Sequence, residues 1–258
     1  MPSRSQILDS NLSRVHARIA AAATLAGRRP QEVRLVAVTK SVDATTALEL
    51  ARRLAQGSRA VELGENRVDK LADKAQAFAA ALPAAPPVRW HMIGHLQRNK
   101  ARAAAQHASA VHSVDTERLL ATLARLSVEL DRDLDAFLEV ELTSLPTRSG
   151  FAPNALSALL ETGPELGRVK LRGLMTMAAP DPRSLAGELA TQSAARRTFE
   201  QLREVASKLP RERFENGRVE LSMGMSDDLD AAVAEGADWV RVGSALFEGL
   251  EPGAEEAP

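Results

Sequence analysis

Short apolar runs alternate with longer amphipathic stretches along this chain. After an opening helical segment the alternation repeats eight times. Positions Ile7, Leu8, Leu12, Val15, Ile19 and Ala23 recur at helical spacing, predicting a helix over 7–26 that Gly27 stops. From residue 33 the short runs predict strands over 33–39, 59–63, 88–93, 110–113, 136–142, 170–175, 219–222 and 239–242. Helical segments are predicted between them, starting near Asp43, Arg67, Gln97, Thr116, Pro153, Ser184 and Ser226, with a short last one near Ser244. Strands apolar throughout and rich in β-branched residues belong to parallel sheets with both faces covered. Eight strand–helix units in 258 residues therefore predict a closed (β/α)8 barrel rather than a doubly wound open sheet. The expected organisation is an N-terminal helix on the barrel (1–28), the barrel (29–250) and a short acidic tail (251–258).

Composition narrows the function classes. A net charge of −1 gives no general attraction to nucleic acid or anionic membrane. No apolar run reaches membrane-spanning length and the polar first residues lack a secretory core, so a cytoplasmic protein is expected. The basic cluster 98–102 lacks the aromatic neighbours that stack bases and reads as a solvated helix face. With no cysteine, disulfides, thiolate nucleophiles and cysteine-ligated zinc are excluded; tyrosine is also absent.

Barrels place their chemistry in the loops after the strands. Lys40 ends the first strand, L-V-A-V-T-K, where a desolvated amine can attack an aldehyde to give a Schiff base. Alone, it reads first as a lysine reaching for solvent where its strand ends. The loops after strands seven and eight, the recurrent phosphate site of barrels, carry Ser226, Gly243 and Ser244. Ordinary helix caps use the same residue types. Asp227 and Asp228 would repel a phosphate, so both side chains are expected to turn away. Arg241 alternates with Trp239 inside an apolar strand and needs a partner. Either an ion pair with Glu139 or Glu141 or a heterocyclic nitrogen would serve. A lysine for an aldehyde, a cup for a phosphate and an arginine for a ring nitrogen together describe pyridoxal 5′-phosphate (PLP).

The ordered motifs L-V-A-V-T-K, G-E-N-R-V, W-H-M-I-G-H-L-Q-R-N-K, V-H-S-V-D, R-S-G, L-R-G-L-M-T-M, L-S-M-G-M-S-D-D and V-R-V-G-S-A-L-F carry a resemblance. From about residue 33 to 247 the chain resembles the PLP homeostasis proteins (the YggS/PROSC family), whose barrel is like the alanine racemase N-terminal domain, PLP fold type III. The resemblance implies Lys40 as the Schiff-base lysine, Asn66 beside the cofactor, and Arg241 facing the pyridine nitrogen. Ser226, Gly243 and Ser244 would hold the phosphate. It also implies a monomeric or weakly associated protein that holds PLP as an internal aldimine and buffers or delivers it to apo-enzymes. Leu63, Arg67 and Met92 stand where the family often has aromatics. Arg148 stands where it often has a lysine, and keeps that charge without the capacity for a Schiff base.

The alternative is a fold-type-III enzyme such as an amino-acid racemase. That reaction needs a second acid/base, which related enzymes take from tyrosine or cysteine, and this sequence has neither. His91, His95 and His112 are the candidate substitutes, all expected at strand ends, where hydrogen-bonded packing around the barrel mouth is the other reading. The spacing of His91 and His95 across Gly94 does not suggest a metal site.

Overall fold

The computed structural model describes residues 2–56, 60–81, 86–143, 148–178 and 188–250, with the backbone alone at 188–193. Eight strands close into a parallel barrel in chain order. They are β1 (Arg34–Val38), β2 (Val61–Glu65), β3 (Val88–Met92), β4 (Ala110–Val114), β5 (Leu134–Glu139), β6 (Val169–Met175), β7 (Glu220–Ser222) and β8 (Trp239–Val242). The helices between them are α2 (Ala44–Ala55), α3 (Val68–Ala80), α4 (Ala101–His107), α5 (Glu117–Glu129), α6 (Leu156–Thr162), α7 (Glu188–Ser207) and α8 (Leu229–Ala234). α1 (Arg4–Leu25) precedes the barrel and α9 (Ser244–Phe247) follows β8. Among the described residues, no helix is long and apolar enough to cross a membrane.

The expected elements are present, with informative shifts. β2 runs two residues past its expected end because Gly64 and Glu65 extend the ladder against His91 and Met92. Glu65 is therefore a buried strand residue. The helices near Gln97 and Pro153 begin as 3₁₀ turns, and residues 226–228 form a turn before α8. The predicted start near Ser184, part of the 81–87 connector and the tail 251–258 lie outside the described residues. α1 starts before its apolar pattern does, through a capping box. The Ser3 hydroxyl accepts from the Gln6 N–H, and the Gln6 side chain accepts from the Ser3 N–H at 2.8 Å.

α1 packs on α8 and α9, and its polar side chains secure the chain around the last two strand ends. Asn11 donates from Nδ2 to the carbonyls of Leu246 (3.1 Å) and Glu248 (2.9 Å). Arg18 pairs with Asp230 at 2.7 Å and donates to the Ser226 carbonyl at 2.5 Å. Both loops after β7 and β8 are thereby tied to one helix.

The apolar interior falls into two parts. A large cluster fills the layer between strands and helices, and a small one of Val36, Phe137, Met175 and Trp239 sits inside the barrel. Toward the strand N-termini the interior is ionic. Arg172 pairs with Glu220 at 2.8 Å, and Arg89 pairs with Asp135 at 2.6 Å and Glu62 at 3.3 Å. Arg34 also pairs with Glu220 while its guanidinium lies 4.0 Å over the Trp239 ring. These residues alternate along the strands with others that face the helices, the period-two pattern of a sheet.

A second buried charge pair lies beside the end of β1. Lys74 of α3, 3 % exposed, donates to Glu65 Oε1 and to the Thr39 carbonyl, each at 2.7 Å. The Thr39 hydroxyl donates to the same carboxylate oxygen at 2.6 Å. Removing one member of a buried pair strands the other charge. Lys74→Ala is expected to lower the unfolding free energy by about 3–5 kcal/mol, measured by urea denaturation.

Candidate functional site

One cavity of about 680 Å³ opens at the C-terminal ends of the strands, and Lys40, Asn66, Ser226, Arg241, Gly243 and Ser244 all line it. Its wall also carries Arg148, His95, Glu139 and Asp227, with Val38, Ile93, Met177 and Met225 as apolar surface. The six residues singled out in sequence thus come together from four strand ends.

Lys40 is the second residue after β1, with Thr39 between them. The peptide before it is fixed on both sides: the Thr39 N–H donates to the Gly64 carbonyl at 2.9 Å, and the Thr39 carbonyl accepts from Lys74. The Lys40 side chain is exposed to the cavity and makes no hydrogen bond or ion pair among the described residues. It is an anchored amine with a free end.

Asn66 owes its place to Gly94. A Cβ at Gly94 would lie 2.1 Å from the Asn66 carbonyl oxygen, so only glycine lets the β3 loop pass this closely. The Ser113 hydroxyl holds the Gly94 carbonyl at 2.6 Å. On the opposite wall, Ser226 Oγ accepts from the Ala245 N–H at 3.4 Å, a long contact that links the loops after β7 and β8. A Cβ at Gly243 would sit 3.2 Å from the Val38 carbonyl oxygen, which brings the β8 end tight against β1.

The two aspartates after Ser226 divide. Asp228 turns inward, accepts from the Met225 N–H at 2.5 Å and closes the 225–228 turn; burial pushes its carboxyl up. Asp227 lines the cavity, against the expectation that both side chains leave it.

Arg241 is 4 % exposed. It donates to Ser222 Oγ at 2.7 Å and to the Thr176 carbonyl at 3.0 Å. Among the described residues it makes no ion pair within 4 Å, so the pairing with Glu139 or Glu141 weighed from sequence is not formed. Burial lowers its pKa to about 10, while the charges of Asp228 and Glu139 pull it back up. These contacts commit two of its five N–H donors, and the residue lines the cavity. Glu139 is the cavity group that sequence reasoning undervalued. Burial first, and the neighbouring Asp115 charge second, raise its carboxyl to about 7. Its signal was visible: a glutamate at the end of the largely apolar β5 run.

The three histidines do not share a location. His95 lines the cavity with its side chain 59 % exposed and its Nδ1 3.2 Å from Asp115. His91 and His112, expected at the mouth, are fully buried inside the barrel and do not line the cavity. Their strands continue past them, to Met92 and Val114, so inward-facing positions one and two residues before a strand end lie below the rim. Arg148 remains at the rim, its guanidinium 3.3 Å from Met177 Sδ.

The alanine racemase N-terminal domain family model matches residues 10–251. A pyridoxal phosphate homeostasis protein of Pseudomonas aeruginosa is 41 % identical, over 95 % of this chain and 96 % of that one. Its Escherichia coli K12 counterpart is 33 % identical, over 92 % and 94 %. The structure of PipY from Synechococcus elongatus PCC7942 with PLP bound matches with a TM-score of 0.69 and 38 % identity, covering 89 % of this chain and 99 % of that one. The barrel, the ordered strand-end motifs and these full-length similarities together assign the chain to the pyridoxal phosphate homeostasis proteins, within the alanine racemase N-terminal domain family.

Proposed function

We propose that this protein binds pyridoxal 5′-phosphate at the cavity and acts as an intracellular reservoir that buffers the cofactor and passes it to apo-enzymes. The observation that carries this reading is the unpartnered Lys40 amine sharing one cavity with the buried Arg241, which makes no ion pair among the described residues. The names of the relatives and the PLP held by PipY support it.

The residues present fit the cofactor. When bound, it supplies an aldehyde that condenses with a primary amine to a Schiff base, with loss of water. Lys40 is the anchored, unpaired amine for that bond. Ser226, Gly243 and Ser244, on the β7 and β8 loops tied to α1, would hold the phosphate. Arg241 would donate to the ring nitrogen and keep it unprotonated, and Asn66 would flank the ring. An unprotonated ring is a weak electron sink, which suits holding the cofactor more than turning over a substrate. The enzyme reading needs a second acid/base on the cavity wall. With no tyrosine or cysteine, it needs a histidine, and of the three candidates only His95 is on the cavity wall.

Charge also favours an anionic ligand. Lys40, Arg148 and Arg241 face Glu139 and Asp227, and a Glu139 carboxyl raised to about 7 leaves the cavity more positive near neutrality.

Purified protein loaded with PLP is expected to absorb in the near-visible, and borohydride to fix the pyridoxyl group on Lys40, read by peptide mass mapping. Lys40→Ala is expected to abolish that adduct; an equally occupied reducible adduct at another lysine would sink the assignment. Glu139 gives a separate pH signature in the cofactor-free protein. Its folded pKa lies above the unfolded value of 4.5, so its contribution to stability is full below that pH and is lost as pH rises to about 7. The loss is about 3 kcal/mol. Glu139→Gln is expected to remove this slope from denaturation midpoints measured between pH 4 and 8, and to be the more stable variant at the alkaline end.

A further inference from the structure

We infer that His112 and Ser222 are positioning residues for Arg241, members of a buried relay that crosses the barrel interior to Glu62 near the opposite face. The inference rests on the reading of the cavity as a PLP pocket and extends it to residues that never touch the ligand.

Four consecutive contacts make the relay. Arg241 Nη1 lies 2.7 Å from Ser222 Oγ, and Ser222 Oγ lies 2.8 Å from His112 Nδ1. His112 Nε2 lies 2.7 Å from His91 Nδ1, and His91 Nε2 lies 2.6 Å from Glu62 Oε2. The links join β8 to β7, β7 to β4, β4 to β3 and β3 to β2, so the path runs through the barrel rather than along one strand. Ser222, His112 and His91 are fully buried. Glu62, at the far end, borders a separate groove near the strand N-termini that also includes Arg34 and Arg218.

The chemistry of the members fixes the direction. Arg241 can only donate, so the Ser222 oxygen accepts. The Ser222 hydroxyl proton then needs an acceptor, and the neighbour available is His112 Nδ1. His112 is deep in the barrel between His91 and the Arg241 charge, and burial holds it neutral, well below its ordinary pKa. Its single proton is therefore on Nε2, donated to His91 Nδ1. His91 in turn carries its proton on Nε2, donated to the Glu62 carboxylate. Every donor points away from the cofactor cavity, and the chain ends on a carboxylate. The reverse order would leave the Ser222 hydroxyl proton without an acceptor among the described residues in a fully buried site, a cost folded proteins avoid.

The consequence is local to Arg241. Its neighbours in charge are Asp228 and Glu139, whose attraction competes for the guanidinium. Ser222, itself fixed by His112, holds one nitrogen of the fork and Thr176 the other. A bond to a charged donor is worth roughly one order of magnitude or more in an equilibrium. Without the relay, PLP affinity is expected to fall about tenfold, with a shifted absorption maximum of the bound cofactor and Lys40 still labelled by borohydride.

His112→Phe removes both relay nitrogens while keeping a ring against Phe137, which His112 stacks on at a centroid distance of 4.4 Å. His112→Asn retains an acceptor close to the Nδ1 position and is expected to recover most of the affinity and the wild-type spectrum. Wild-type affinity and spectrum in His112→Phe would overturn the inference, as would equal losses in both variants, which would mark a packing role. Ser222→Ala offers the same reading should His112→Phe not fold. Independently of PLP, the ring ¹⁵N shifts of the cofactor-free wild type are expected to show both buried histidines protonated on Nε2; an Nδ1-protonated tautomer at either would refute the relay direction. Failure of the wild type to take up PLP would remove the functional reading while leaving that tautomer result intact.

Discussion

Parallel pairing of β1 with β8 closes the barrel, and the site exists because of that closure. The register sets Val36 opposite Arg241 and Ala37 opposite Val242, bringing together residues about two hundred positions apart. It delivers Lys40 and Gly243 to the same rim, with Gly243 pressed against the Val38 carbonyl where a larger residue would force the two strand ends apart. An open sheet with the same eight strands would leave β1 and β8 at opposite edges. The amine, the arginine and the loops after β7 and β8 would then share no cavity.

The interior of the barrel is unusually polar for a packed core. An ionic layer near the strand N-termini, the histidine pair and Arg241 occupy space that aliphatic side chains fill in many barrels. Buried charges are costly, and pairing offsets that cost rather than turning it into a large gain. What such networks provide is geometry. Each member has few ways to satisfy its hydrogen bonds, so each fixes the next, and Arg241 is held in place without a carboxylate on its own guanidinium. The same logic governs Lys74, Glu65 and Thr39, which fix the peptide before Lys40 and leave the lysine side chain itself unrestrained. The backbone is rigid and the reactive end is free, an arrangement suited to forming and releasing a covalent bond reversibly.

α1 belongs to this design. Its Asn11 and Arg18 hold chain segments that follow β8 and β7, and both loops line the cavity. The helix was legible as a helix from its apolar spacing, but its hydrogen bonds to Leu246 and Ser226 join positions more than two hundred residues apart.

Much of the fold was written locally. Runs such as L-V-A-V and V-R-V alternate with amphipathic stretches, and that period is enough to specify strand, helix and the count of eight. The strand-end residues Lys40, Asn66, Ser226, Arg241, Gly243 and Ser244 were legible too, because barrels put chemistry where strands stop and those stops are punctuated by glycine, serine and a charge. What one dimension could not resolve was depth. His91 and His112 looked like rim residues because their distance from a strand end was known but not how far the interior is filled above them. Glu139 looked like a partner for Arg241, yet the two stay more than an ion-pair distance apart while burial raises the glutamate's pKa. The relay itself links β2, β3, β4, β7 and β8 and has no sequence period at all. Sequence determined how many strands there are and, to within a few residues, where each one ends. Closure of the barrel decided which of them meet, because only the tertiary register sets distances across an interior that no local pattern encodes.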